Sequence, residues 1–148
     1  HICGVIAGIV RGERLSAFVK RNGLRVVKIL AMVETADRRP LMEMLQKALG
    51  EGFYVTTSSD FLVEIMPAGQ SKAAAVDYLS EYYRVPRAEI AAIGDQLNDL
   101  PMVMRAGGSF AVANAESELK KVARVVPSVE EDGVAEALKI AMGDEDER

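Results

Sequence analysis

The chain has 148 residues, a net charge of −4 and 49% hydrophobic residues. This composition excludes a disordered or collagen-like chain, because it supplies enough apolar material for a packed core. The acidic balance argues against a broad nucleic-acid-binding surface. Cys3 is the only cysteine, so an internal disulfide is excluded and a reducing compartment, the cytoplasm, is expected. A start at His1 rather than Met indicates processing, trimming or excerption from a longer sequence.

The longest uncharged run covers residues 2–10. A membrane-spanning helix needs about 20 apolar residues, and no basic segment precedes this run as it would in a secretory signal. We therefore interpret it as a buried strand or a short core helix, and we expect a soluble protein with no membrane partner.

Hydrophobic patterning predicts an α+β arrangement in the first part of the chain. A helix over residues 13–21 ends at Asn22-Gly23, where both residues tolerate positive φ. The remaining predicted elements are a strand over 25–33, a helix that follows Asp37 and ends at Gly50, and strands over 53–58 and 60–66. A break at residues 67–69 predicts a domain boundary, with domains of residues 1–66 and 67–148.

Strands and helices alternate in the second part, which predicts βαβ units and a parallel, doubly wound α/β sheet. Ser71 is the predicted N-cap of the first helix in this part. The predicted helices cover residues 71–83, 100–106, 116–122 and 133–142, and the predicted strands cover 90–93, 110–113 and 124–126. The acidic residues after 142 are expected to form a frayed tail.

Two carboxylates and an amide follow the buried strand at residues 90–93. Gly94 allows a sharp turn, and Asp95, Asn98 and Asp99 come before the next helix. Ligands of open α/β sheets bind beyond the carboxyl ends of the strands. A carboxylate there suits Mg²⁺, which needs only one or two protein carboxylates because it keeps several waters. Asn98 can donate to a phosphate oxygen, and Asp99 can orient a ligand or a lysine from behind.

Helix capping is the competing interpretation of these acids. Asp and Asn are common before a helix, and Pro101 suits the first helical turn. A cap accounts for one of the three polar residues better than for all of them. Lys72 is similarly open: at a helix start it is either a tolerated surface lysine or, with the helix N-terminus, part of an anion site.

Four motifs then identify a resemblance. "FLVEIMPAGQSK", "IAAIGDQLNDLPM", "FAVANA" and "EEDGVAEAL" stand in this order. They resemble the carboxyl-terminal part of haloacid dehalogenase-superfamily phosphatases, in particular the Cof-type branch with an α+β cap. The resemblance covers about residues 25–142. It implies a partial Rossmann-like core plus part of a cap, and a Mg²⁺-dependent phosphatase of small phosphorylated metabolites such as sugar phosphates or phosphoglycolate.

The resemblance also implies roles for individual residues. Lys72 matches the lysine that neutralises the transferring phosphoryl group, and Asp95 matches the carboxylate that binds Mg²⁺. Asn98 matches an amide that contacts phosphate or substrate, with Asp99 as its supporting acid. Asn114 falls where the family often has an asparagine near the site. Ala73 stands where the family usually has glycine, a minor departure.

The large departure is the nucleophile. The family uses an Asp-x-Asp pair followed by Gly-Thr to form an aspartyl-phosphate, and this motif is absent here. Lys72 and Asp95 stabilise charge but do not attack phosphorus. The core without those strands is expected to present an unpaired sheet edge, which invites pairing with the missing amino-terminal part or in a homo-oligomer.

Three hypotheses therefore stand side by side. In the first, this chain is part of a phosphatase and is inactive alone. In the second, it is a non-catalytic phosphate-binding or assembly module that oligomerises through its exposed edge. In the third, it is an α/β fold whose acids only cap helices.

Overall fold

A computed structural model describes residues 11–143, and no helix in that range is long and apolar enough to cross a membrane. Two three-stranded sheets organise the chain. One lies in the amino-terminal region (residues 11–67) and the other in the carboxyl-terminal region (residues 72–143). The element expected at residues 2–10, Cys3 and the tail after Gly143 fall outside the described residues.

The amino-terminal region has the expected α+β character. Its sheet is antiparallel, with β3 between β1 and β2. The helix before the second strand ends where Gly50 takes a positive φ of 67°, a conformation that glycine adopts without steric cost. The elements are α1 (Leu15–Arg21), β1 (Ile29–Met32), α2 (Thr35–Leu49), a 3₁₀ turn (Gly50–Gly52), β2 (Phe53–Ser59) and β3 (Leu62–Pro67).

Two predicted strands of this region have wrong boundaries. The strand predicted over 25–33 pairs only from Ile29 to Met32, opposite Ile65 to Leu62. Continuing that register places residue 27 opposite Pro67, which has no N–H to donate, so the ladder stops short of it. The strand predicted from residue 60 begins at residue 62, because residues 60 and 61 form the turn of the hairpin.

The carboxyl-terminal region confirms the α/β prediction. Its three strands are parallel in the order β4-β5-β6. Neither β1 nor β4 has a second strand partner within residues 11–143, so both are edge strands there. The elements are α3 (Lys72–Tyr83), β4 (Ala91–Gly94), α4 (Leu100–Arg105), β5 (Gly108–Val112), α5 (Ser117–Lys120), β6 (Arg124–Val126) and α6 (Gly133–Met142).

The main apolar core lies around the parallel sheet. Its buried members are Val103, Phe110, Ala111, Val112, Ala115, Leu119, Val126 and Ala137. Because β4 and β5 are parallel neighbours, their carboxyl ends meet at one edge of the sheet. That edge carries the loop of residues 95–99 after β4 and the segment of residues 113–116 after β5. The domain boundary at residues 66 and 67 stays a prediction.

Candidate active site

Asp99 organises the loop that follows β4. Its side chain is 5% exposed, and one carboxylate oxygen accepts hydrogen bonds from the backbone N–H groups of Asp95 (3.0 Å) and Gln96 (3.3 Å). The other oxygen accepts from the Lys72 ammonium. Asp99 occupies the N-cap position of α4 but makes no side-chain capping bond. Capping therefore does not explain this carboxylate, which turns back onto its own loop.

Gly94 allows this arrangement through close packing. A Cβ atom at residue 94 would lie 2.4 Å from the Asp99 Cβ and 2.9 Å from its Cγ. Such distances are shorter than van der Waals contact, so any side chain here would displace Asp99. The sequence predicts a sharp turn at Gly94, and the close approach of Asp99 adds a steric reason for a residue without a side chain there.

Lys72 is the first residue of α3, and Ser71 is its N-cap as predicted. The Ser71 hydroxyl accepts a hydrogen bond from the Ala74 N–H at 3.4 Å. Lys72 reaches across 27 residues of sequence to Asp99, while its side chain remains 49% exposed. An ion pair with a buried carboxylate fixes the ammonium near the sheet edge and leaves one side of it open. This geometry is unlike that of an unattached surface lysine.

The two carboxylates of the loop have opposite titration behaviour. Partial burial raises the pKa of Asp95, the neighbouring Asp99 adds to the rise, and Lys72 opposes it. Burial alone would also raise the pKa of Asp99, but the hydrogen bonds from Lys72 and two backbone N–H groups outweigh it, so that pKa is lowered. Asp99 is thus fixed as an anion, whereas an additional cation would stabilise the ionised form of Asp95.

The donor atoms here suit part of a Mg²⁺ coordination shell. Asp95 offers a carboxylate that forms no ion pair with the other described residues, and Asn98 has a buried Oδ1 atom without a hydrogen-bond partner. Both are hard oxygen donors of the kind Mg²⁺ prefers. Within residues 11–143, no group of three His, Cys, Asp or Glu side chains could hold a metal. Asp95 can therefore supply one carboxylate, with waters or other groups completing the shell, and Asn98 Oδ1 is a second oxygen that lacks a partner.

Asn98 stands where the two regions of the chain meet. Its backbone N–H donates to the carbonyl of Thr57 in β2 at 3.1 Å. A cavity of about 470 Å³ opens beside it, and its lining includes Lys72 and Asn98 together with Tyr54 of β2 and Glu64 of β3. The antiparallel sheet thus forms a wall above the edge of the parallel sheet.

Asn114 has a different environment from the other predicted residues. Its Oδ1 atom accepts a hydrogen bond from the Val129 N–H at 3.4 Å, so this side chain anchors the 3₁₀ turn Val129–Glu131. No hydrogen bond links it to Lys72, Asp95 or Asp99 in the described part of the chain. Its assignment to phosphate binding stays a prediction.

Comparison with known proteins gives this geometry a family. The family model for haloacid dehalogenase-like hydrolases matches residues 13–138. The chain belongs to this family. This haloacid dehalogenase-like chain superposes on a HAD/Cof-like hydrolase from Plasmodium vivax with a TM-score of 0.75 and 25% identity, over 88% of this chain and 46% of the other.

Two curated relatives match the haloacid dehalogenase-like chain in sequence. One is the 5-amino-6-(5-phospho-D-ribitylamino)uracil phosphatase YitU of Bacillus subtilis, 43% identical over 79 residues, which are 53% of this chain and 29% of the relative. The other is a phosphoglycolate phosphatase of Archaeoglobus fulgidus, 44% identical over 82 residues, which are 55% of this chain and 37% of the relative. The matched segment is thus only about a third of each of these enzymes.

Sequence patterns alone did not identify several residues around the site. Glu64 is 4% exposed, and its carboxylate oxygens accept from the Lys28 ammonium (2.9 Å) and the Ser58 hydroxyl (2.5 Å). A glutamate within the apolar strand "FLVEIM" was the available signal. Glu116 was also missed: its backbone N–H donates to the Asp95 carbonyl at 2.8 Å, a contact that no local pattern encodes.

Proposed function

We propose that the protein to which this chain belongs is a cytoplasmic, Mg²⁺-dependent phosphatase that hydrolyses phosphate monoesters of small metabolites. The observation that carries the proposal is the shared anchoring of two groups. Asp99 holds the Lys72 ammonium through one oxygen and the backbone at Asp95 through the other. Asp99 thereby fixes the Lys72 ammonium relative to the main chain that carries the Asp95 carboxylate, and a phosphate site needs such a cation and such an acid.

The chemistry of each residue follows from its position. Lys72 neutralises charge on the phosphoryl oxygens, and the Asn98 side-chain N–H₂ donates to a phosphate or substrate oxygen. Asp95 holds Mg²⁺ through its carboxylate, and the ion when bound neutralises and orients the phosphate. Asn114 contributes to phosphate binding by resemblance. Asp99 holds the Lys72 ammonium and the loop in place.

Phosphoryl transfer also needs a nucleophile in line with the leaving oxygen. The chain holds no Asp-x-Asp followed by Gly-Thr, so we assign it charge stabilisation and metal binding but not attack on phosphorus. The 148 residues alone are accordingly expected to be inactive. The nucleophile belongs to a part of the protein outside this sequence.

The substrate class follows from the cavity and the relatives. The cavity has the size of a small metabolite and carries both cationic and anionic groups, including Lys72 and Glu64. Relatives named for phosphoribitylaminouracil and phosphoglycolate hydrolysis share a phosphate monoester on a polar organic group. We therefore propose sugar phosphates first and phosphoglycolate second.

Asp95→Asn in the full-length protein tests the proposal. We expect hydrolysis of p-nitrophenyl phosphate to fall by at least about 100-fold, since the metal carboxylate is lost while the shape is kept. Glu136→Gln is the matched control. Glu136 lies on α6, is 48% exposed and forms only a long ion pair of 3.9 Å with Lys139, so loss of its charge should leave the rate unchanged. Full Mg²⁺-dependent activity in Asp95→Asn would refute the proposed role.

A second candidate is a non-catalytic phosphate-binding or assembly module. The exposed apolar residues and the four edge strands of the described region, β1, β2, β4 and β6, favour it. Thermal unfolding of this chain with Mg²⁺ plus inorganic phosphate tests whether it binds the ions, because a ligand of the native state raises the melting temperature. A shift that Lys72→Ala abolishes, together with no turnover by the full-length protein, would favour this module over the phosphatase.

A further inference from the structure

Two neighbouring arginines of α2 form ion pairs with two glutamates at the start of α5. Arg38 Nη2 lies 2.8 Å from Glu116 Oε1, and Arg39 Nη2 lies 2.9 Å from Glu116 Oε2. Arg39 Nη1 also lies 2.9 Å from Glu118 Oε1. The partners are separated by almost 80 residues of sequence. They join the amino-terminal region to the carboxyl-terminal region.

The inner part of this cluster is sheltered from solvent. The side chain of Arg38 is 8% exposed and that of Glu116 is 15% exposed, whereas Arg39 is 43% exposed. Arg38 also donates to the Ser59 carbonyl at 3.2 Å. Removing Glu116 would leave the buried Arg38 guanidinium with the exposed Asp60 carboxylate, whose Oδ1 lies 3.3 Å from Arg38 Nη1. Loss of a buried partner costs more than loss of a surface one.

Glu116 connects this cluster to the site through its backbone. Its N–H donates to the Asp95 carbonyl at 2.8 Å, and on the other side of the same loop the Asn98 N–H donates to the Thr57 carbonyl at 3.1 Å. The loop that carries Asp95 is therefore held at two points. One belongs to β2, and the other is a residue held by α2.

We propose that Glu116 is a positioning residue of the site. Its carboxylate, held by Arg38 and Arg39, fixes the amino-terminal region against the carboxyl-terminal region, and its backbone N–H fixes the main chain at Asp95. This rests on the proposed function only in so far as Asp95 is taken as the metal-binding carboxylate. The contacts themselves do not depend on the reaction.

Amide hydrogen exchange of this chain, followed by NMR, tests the proposal without turnover or metal. For each amide we compare the exchange rate in Glu116→Gln with that in the wild type. We expect this ratio at Asn98 and at position 116 to be at least about tenfold larger than the ratio at Ala111, a buried residue of β5. The amide shift of Gln96, whose nitrogen is bonded to the Asp95 carbonyl carbon, should also move. Normalising to Ala111 separates a local change from general destabilisation.

Glu118→Gln is the matched control, because it removes the same charge but leaves both arginines on Glu116. It should leave exchange at Asn98 and position 116 within about twofold of the wild type. Arg39→Gln, at the exposed edge of the cluster, should give a smaller change than Glu116→Gln at the same amides, and it serves if Glu116→Gln fails to fold.

Equal acceleration at Ala111 and at the two loop amides would overturn the proposal, as would equal effects of the two glutamate substitutions. Failure of the exchange test leaves the phosphatase proposal standing. Conversely, full activity of Asp95→Asn would remove the metal role and leave the positioning contacts unaffected.

Discussion

The two regions of the chain differ in how many apolar side chains they bury. In the carboxyl-terminal region, Leu119 and Val103 are fully buried within one cluster that surrounds the parallel sheet. In the amino-terminal region, Val55 and Val63 are the buried apolar side chains among the described residues, and Val27 is 80% exposed; the carboxyl-terminal region also exposes apolar side chains, such as Met142 at 75%. Burial of apolar surface is the main favourable contribution to folding. We infer that the carboxyl-terminal region provides most of the chain's own stability, because it holds most of the buried apolar side chains, whereas both regions leave some apolar surface exposed.

The largest expected effect is that of truncating the buried cluster. Leu119→Ala should lower the free energy of unfolding by about 2–5 kcal/mol, because it removes a fully buried side chain and leaves a cavity. Leu30→Ala, at a β1 residue that is 54% exposed, should change it by less than about 0.5 kcal/mol. Urea unfolding followed by circular dichroism measures both. Similar losses in the two variants would show that the regions are equally well packed.

A smaller effect is expected from adding one methyl group to a glycine. Gly94→Ala should cost about 1–3 kcal/mol, since the new Cβ overlaps Asp99 and the loop must shift. Gly52→Ala meets nothing within 4 Å at a position without positive φ, so it should be near neutral or slightly stabilising. Thermal unfolding of the two variants gives the comparison. A neutral Gly94→Ala would contradict the close packing behind the site.

The contrast between the regions explains how much the sequence could predict. In the carboxyl-terminal region, short buried strands alternate with helices, so local patterns located β6 and α6 to the residue and identified the Ser71 cap. The bounds of two other elements were wrong: β5 was predicted over 110–113 and is Gly108–Val112, and α5 was predicted over 116–122 and is Ser117–Lys120. In the amino-terminal region, the length of β1 depends on its partner strand β3, which ends at Pro67. An antiparallel partner is a long-range property that the pattern of residues 25–33 does not contain.

The candidate site shows the same division. The segment from Gly94 to Asp99 located the loop that follows β4, because a glycine and acids after a buried strand are a local signal. The orientation of the Asp99 side chain could not be predicted. An acid before a helix can either cap that helix or accept hydrogen bonds from the backbone of its own loop. Contacts of Glu116 with Arg38 and Arg39 join distant segments, and charge runs alone do not say which charges meet.

A modest effect is expected where the regions meet at the exposed edge of their charge cluster. The hydrogen bond from Arg39, with a further one from Ser117, lowers the pKa of Glu118 to about 2. A lowered pKa means that the ionised form stabilises the fold above the ordinary value of 4.5, and that this contribution is lost as the pH falls toward about 2. Because the side chain is 32% exposed, the contribution is expected to stay below about 1 kcal/mol.

Urea unfolding at several pH values measures that contribution. The stability difference between the wild type and Glu118→Gln should be largest near pH 6 and should shrink between pH 4.5 and 3. A difference that grows on acidification would have the wrong sign and would contradict the assigned ion pair.

The smallest effect on stability is expected where the amino-terminal region exposes its apolar surface. Val27→Glu should leave the free energy of unfolding within about 0.5 kcal/mol, because Val27 is mostly in solvent. It should nevertheless reduce self-association in sedimentation velocity, since a charge opposes burial between copies of the exposed apolar patch formed by Leu24, Val26, Val27 and Leu30. Val129→Glu makes the same change on an exposed valine of the carboxyl-terminal region, and it should leave the sedimentation profile unaltered. Equal effects of the two variants would assign association to net charge, whereas a strictly monomeric wild type would leave the patch to a different partner, such as the rest of the protein.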